Sequence, residues 1–193
     1  FCCRFDKGSS VPLENTDTMK FFIQGRNILL WLAASSSLAW CEGKTWALVV
    51  GIDEYLRPSI PALRYAVTDA KLFARSLQDT MKVPPQQIFV MTSDSVDPDS
   101  QPRVVNIAYR LGWLKGKMGP EDTLVFYFAG HGVTVEGQSF LLTEEADNRS
   151  ASTLKVSALQ GADIASGVRA TKASNVWLVL DACRNTTGAE APA

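Results

Sequence analysis

The chain has one histidine and four cysteines in 193 residues, and a formal net charge of −1. Its 19 basic residues nearly balance its 20 acidic ones, and no dense basic cluster stands in the body of the chain. That leaves no electrostatic case for nucleic acid. Zinc is held by sets of His, Cys and carboxylate ligands, and one histidine with one body cysteine does not supply the usual set, so no metal site is expected. No apolar run reaches the roughly 20 residues of a stable membrane span. Cysteine is sparse where a fold would use it: Cys2, Cys3 and Cys41 precede residue 44, and Cys183 stands alone in the body. A disulfide framework within the body is therefore excluded. There is no internal repeat and no long low-complexity tract.

The first 43 residues differ from the rest. From Met19 the chain reads MKFFIQGRNILLWLAASSSLAWCEG, with Lys20 and Arg26 ahead of an apolar stretch that begins at Ile28. Small residues at Ser37 and Ala39 then occupy the two positions a signal peptidase inspects. Residues 19–43 read as a signal peptide and short linker, which implies a secreted or periplasmic protein; a first amphipathic helix of the domain is the competing reading. Residues 1–18 read as upstream, non-domain sequence. A free thiol outside the cytoplasm is a liability unless it is buried or used.

In residues 44–185 four short apolar runs stand out: Trp46–Ile52, Ile88–Met91, Thr123–Ala129 and Val176–Leu180. Their near-continuous hydrophobicity suits strands buried on both faces. Between them, Leu63, Val67, Ala70, Leu72, Phe73 and Leu77 recur at helical spacing over 62–79. Pro102 is placed to open a second helix carrying Val104, Val105, Ala108, Leu111 and Leu114. A third, glycine-weakened helix is expected over 157–168, and Phe140–Leu142 as a small hairpin arm. Strands alternating with helices predict an α/β fold with a mainly parallel sheet.

His131, in FYFAGHGV, directly follows the third run, and Cys183, in VWLVLDACRN, follows the fourth. Both fall at the carboxyl ends of expected strands, the edge where open α/β sheets bind ligands. A thiol is only a few per cent ionised at neutral pH, so a positioned imidazole makes it a useful nucleophile. Gly130 and Gly132 flank the histidine and leave room for a substrate main chain. The N–H groups of Gly132 and Cys183 are candidates for an oxyanion hole. Taken singly, His131 reads as a satisfied histidine and Cys183 as core filler; taken together they read as base and nucleophile.

The blocks ALVVGIDEY, LRYAVTDAKLFARSL, DTLVFYFAGHG and VWLVLDACRN resemble those of the caspase–metacaspase superfamily, particularly its bacterial metacaspase-like members. The caspase cysteine signature has its histidine about 50 residues upstream, as here. Asp-Ala-Cys-Arg-Asn departs from the caspase Gln-Ala-Cys form towards the metacaspase side. The resemblance implies a three-layer α/β sandwich over 44–185, the large-subunit portion of a catalytic domain, and a cysteine endopeptidase with a His131–Cys183 dyad. It also implies that Asp69 and Asp181 line the pocket for the residue before the cut bond and favour Arg or Lys, the partners of a carboxylate. An exposed helical acid and a strand-end cap are the competing readings of these two. Ala129 stands where many metacaspases carry serine.

Many metacaspases require calcium, but the acidic insertion that holds it is not seen after His131. Glu144, Glu145 and Asp147 read instead as a solvated acidic turn, and no cofactor is expected. The resemblance implies a further, C-terminal small-subunit portion beside the fourth strand, so the fold is expected to be incomplete on that side, with 186–193 as an unstructured tail and 175–180 as an open edge. Expected partners are protein or peptide substrates. The alternative function is a caspase-like interaction or regulatory module with little turnover.

Overall fold

The computed structural model describes residues 43–185 and the strand Cys2–Arg4, with the main chain alone for residues 2–4 and 183–185. The proposed signal peptide, most of the upstream segment and the tail at 186–193 lie outside the described residues. In chain order the elements are β1 (Cys2–Arg4), β2 (Thr45–Gly51), α1 (Ala66–Asp79), β3 (Ile88–Thr92), α2 (Val104–Lys117), β4 (Thr123–Val135), β5 (Gln138–Leu142), α3 (Ala151–Ser157), β6 (Ala158–Gln160), α4 (Gly161–Ala170) and β7 (Asn175–Asn185). The main sheet has the order β1-β7-β4-β2-β3. Its four long strands run parallel, and β1, β5 and β6 add antiparallel pairings.

The apolar runs lack polar alternation because both faces of the sheet are covered. Leu48, Val50, Leu124, Phe126 and Phe128 face a layer containing Ile107, Leu111 and Leu114 of α2 and Ile164 and Val168 of α4. Their neighbours Ala47, Val49, Val125, Tyr127 and Ala129 face α1 instead. The result is the mainly parallel three-layer arrangement expected from the sequence. The two interfaces differ in grain. The α1 side is built from Ala66, Ala70 and Ala74, which lets that helix lie close to β2. A Cβ on Gly51 would stand 2.6 Å from both the Ala66 carbonyl oxygen and the Ala70 Cβ, so only glycine fits there.

Several boundaries differ from those expected. Helix α1 begins at Ala66 rather than near 62, and Leu72, counted in its periodicity, is exposed. Helix α2 begins at Val104, after Pro102, and its buried stripe is Ile107, Leu111 and Leu114; Val105 is exposed. The helix expected over 157–168 begins only at Gly161, as α4, because Ala158–Gln160 pairs with β5 as β6; α3, over Ala151–Ser157, was not expected. The edge expected to be open over 175–180 is paired at Trp177–Val179 with Cys2–Arg4. No described helix is long and apolar enough to cross a membrane.

Candidate active site

Strands β4 and β7 both run past the points where the sequence suggested they stop. Parallel pairing of β4 with β2 ends at Ala129, and antiparallel pairing with β5 begins at Gly132. Between these two pairings lie Gly130 and His131, while β7 stays in register with β4 throughout. In that register Ala129 faces Asp181, Gly130 faces Ala182, and His131 faces Cys183. Adjacent strands lie about 5 Å apart, so the two residues singled out by sequence sit side by side on the sheet's central strands. They lie within the strands rather than beyond them, which corrects the expectation that the chain leaves the sheet there.

The interruption between β2 and β5 would leave the His131 N–H without a strand partner. It donates instead to the Tyr55 hydroxyl oxygen, at 2.8 Å. The Tyr55 ring lies 5.3 Å from the imidazole, tilted by 39°. Burial is the main reason the Tyr55 phenol is pushed up to about 12, so it stays protonated and neutral. Gly130 makes this approach possible. A Cβ there would meet Phe128 at 3.0 Å and the Tyr55 oxygen at 3.1 Å, so its role includes room for the protein's own side chains.

The imidazole is fixed at its far nitrogen as well. His131 Nε2 lies 2.8 Å from the Pro61 carbonyl oxygen. A carbonyl oxygen can only accept, so Nε2 carries the proton and the neutral ring keeps its lone pair on Nδ1. That is the tautomer a base needs when the other nitrogen is anchored.

Asp69 and Asp181 meet His131 around one cleft of about 260 Å³. Ala66 and Asp69 come from α1, Ala129, Gly130 and His131 from β4, and Asp181 from β7. Both acids also reach Tyr127: after burial, the charges of Asp181 and then Asp69 raise its phenol above the ordinary value. Two carboxylates therefore act on one small region beside the imidazole. The rim adds Arg64 and Tyr65, both exposed, which the sequence did not single out. Gly132 is the register partner of Leu141 in β5 and of Arg184 in β7.

The acids after β5 are not a solvated turn. Asp147 is buried and takes Arg57 and Arg149, each at 2.6 Å, and the Arg149 hydrogen bond chiefly holds its carboxyl well below the usual range. Glu145 accepts the Val104 N–H at 2.7 Å. Glu144 is buried near Arg103, with burial pushing its carboxyl up. Asp147 and Glu145 are thus hydrogen-bonded inside the protein, while Glu144 has only the looser ion pair with Arg103, at 3.7 Å. Among the described residues no group of three or more His, Cys, Asp or Glu is placed to hold a metal. Asp53 accepts the Ala66 N–H at 2.8 Å and so caps α1 from a distance.

Fold and site together define a class: an open, mainly parallel α/β sheet whose central strands set a histidine and a cysteine opposite each other beside an acidic cleft. A family model described as the caspase domain matches residues 44–192. The chain belongs to the caspase-domain family. Among similar proteins, Metacaspase-1A of Aspergillus oryzae is 32% identical over 92 residues, 48% of this chain and 22% of that protein. Metacaspase-1 of Pyricularia oryzae is 31% identical over 96 residues, 50% of this chain and 24% of that one. The matched segment thus spans under a quarter of these relatives. A solved structure from Geobacter sulfurreducens aligns with 75% of this chain and 52% of its own, at a TM-score of 0.55 and 15% identity, a likeness of fold alone. Family membership supports cysteine peptidase chemistry in general.

Proposed function

We propose that this domain is a cysteine endopeptidase that cuts after Arg or Lys, with Cys183 as nucleophile and His131 as base. The observation that carries this reading is the register of His131 with Cys183 beside a cleft lined by Asp69 and Asp181. In the proposed reaction His131 Nδ1 takes the thiol proton, and the sulfur attacks the scissile carbonyl carbon. The N–H groups of Gly132 and Cys183 bind the resulting oxyanion. The imidazolium then gives its proton to the leaving amine, and water hydrolyses the thioester. Asp69 and Asp181 hold the cationic side chain before the cut bond by charge-assisted hydrogen bonds. Arg64 on the rim leaves the cleft net negative, two acids against one base.

The test compares peptides that end in Arg, Lys or Asp before a fluorogenic leaving group. Replacing Asp181 or Asp69 with Asn should lower kcat/KM for the Arg peptide about 10- to 100-fold, as hydrogen bonds to charged groups contribute about 1.5–3 kcal/mol. Faster cleavage after Asp contradicts the acidic pocket. No cleavage dependent on Cys183 points to the second class, an interaction or regulatory module. Export to a secreted or periplasmic location rests on residues 19–43 alone, and the small-subunit portion beside β7 on the family resemblance.

A further inference from the structure

A second cleft, of about 170 Å³, meets the acidic one at His131 and shares no other lining residue with it. We propose that it is the subsite for the residue following the cut bond, and that it selects an uncharged aliphatic side chain. The proposal deepens, and rests on, the endopeptidase reading above.

Its place follows from the chemistry of the imidazole. The group that protonates the leaving amine must stand beside the residue to which that amine belongs. A substrate with its cationic side chain between Asp69 and Asp181 reaches the reacting bond at His131, and its next residue emerges on the opposite side. That side is where the second cleft opens.

Its chemistry follows from its lining. Ile60 and Leu142, 5% and 3% exposed, form an apolar floor, with Val133 and Pro61 beside them. Ser59 and Asn148 form the rim, where the Ser59 hydroxyl donates to the Asn148 side-chain oxygen at 2.7 Å. No Asp, Glu, Lys or Arg lines it. A charged side chain would lose its water there without gaining a partner. The size suits Val, Leu, Ile or Met, since a protein cavity of about 150 Å³ accommodates a benzene molecule.

The walls are also fixed in advance. Arg57, two residues before Ser59, is ion-paired at 2.6 Å to Asp147, the residue before Asn148. Asp147 is held in turn by Arg149 and by the Ser157 hydroxyl, which accepts its N–H at 2.8 Å. The buried carboxylate therefore clamps the two rims together, which prepares the cleft for its occupant.

The test uses the full chain and longer peptides with Arg before the cut bond and Leu, Ala, Glu or Lys after it, cleavage being read by mass spectrometry. Leu should exceed Glu and Lys by about tenfold or more in kcat/KM, the range a hydrophobic pocket provides. Asn148→Trp and Ser59→Trp, both on the exposed rim, should shrink the Leu-to-Ala ratio towards one in folded protein. Equal rates for all four peptides, or a Leu preference that survives both substitutions, would overturn the proposal while leaving the peptidase reading intact. Failure of every peptide to be cut in a Cys183-dependent way overturns both.

Discussion

At the scale of single residues, His131 is held at three points: Pro61 on Nε2, Tyr55 on the main-chain N–H, and the Tyr55 ring against the imidazole. These contacts leave the lone pair of the neutral ring on Nδ1 and fix where the ring points, as the proposed base requires. Tyr55→Phe keeps the ring but removes the acceptor, leaving a part-buried N–H unsatisfied at a cost of about 1–3 kcal/mol. We expect kcat to fall about tenfold with KM changed less than about twofold, because the loss falls on the alignment of the base. An unchanged kcat in a folded Tyr55→Phe protein would show that the hydroxyl does not position the histidine. The placing of His131 beside Cys183 was legible in the sequence, because each is unique in the body of the chain and follows an apolar run. Tyr55 and Pro61 were not, since they lie 76 and 70 residues from His131 and nothing local marks them.

At the scale of elements, α1 beside the site and α2 on the other face of the sheet both lack a side-chain cap of their own. Tyr65 and Arg103 occupy the cap positions, and remote carboxylates replace them: Asp53 at the start of α1 and Glu145 at the start of α2. Each joins a helix N-terminus to a loop at the carboxyl rim of the sheet, where negative charge also suits the helix dipole. Asp53→Ala and Glu145→Ala should each destabilise the fold by about 1 kcal/mol, read from urea unfolding midpoints. No change in midpoint would mean that water satisfies those N–H groups equally well. Strands and their order of appearance were legible from apolar runs, and α1 and α2 from periodicity. The break between α3 and α4 was not, because β6 exists only through its pairing with β5, a contact that local pattern does not encode.

At the scale of the whole molecule, acid should loosen the wall of the second cleft. The Asp147 carboxyl is held below its unfolded value of about 4, so its pairing stabilises the fold above that pH and is lost progressively below it. Glu144 works in the opposite sense: its carboxyl is raised by burial, so the fold gains as pH falls through that raised value. Asp147→Asn should therefore melt below the native protein at pH 7, with the gap closing as pH drops below about 4. A gap independent of pH would contradict the ion-pair account. The sheet's outer edge shows the limit of local reading at this scale. The pairing of Cys2–Arg4 with Trp177–Val179 joins segments far apart in the chain, and no residue pattern in either announces it.

The central claim is that Cys183 is a nucleophile activated by His131 and fed by a pocket for cationic side chains. Its most direct measurement is peptide mapping after brief treatment with matched chloromethyl ketones that carry Arg or Asp, reagents from which a thiolate displaces chloride. The account predicts one adduct, on Cys183, forming at least about tenfold faster with the Arg reagent and slowed to the rate of an ordinary thiol in His131→Ala. Labelling of Cys183 no faster than that of Cys2, Cys3 or Cys41, or faster with the Asp reagent, would contradict it.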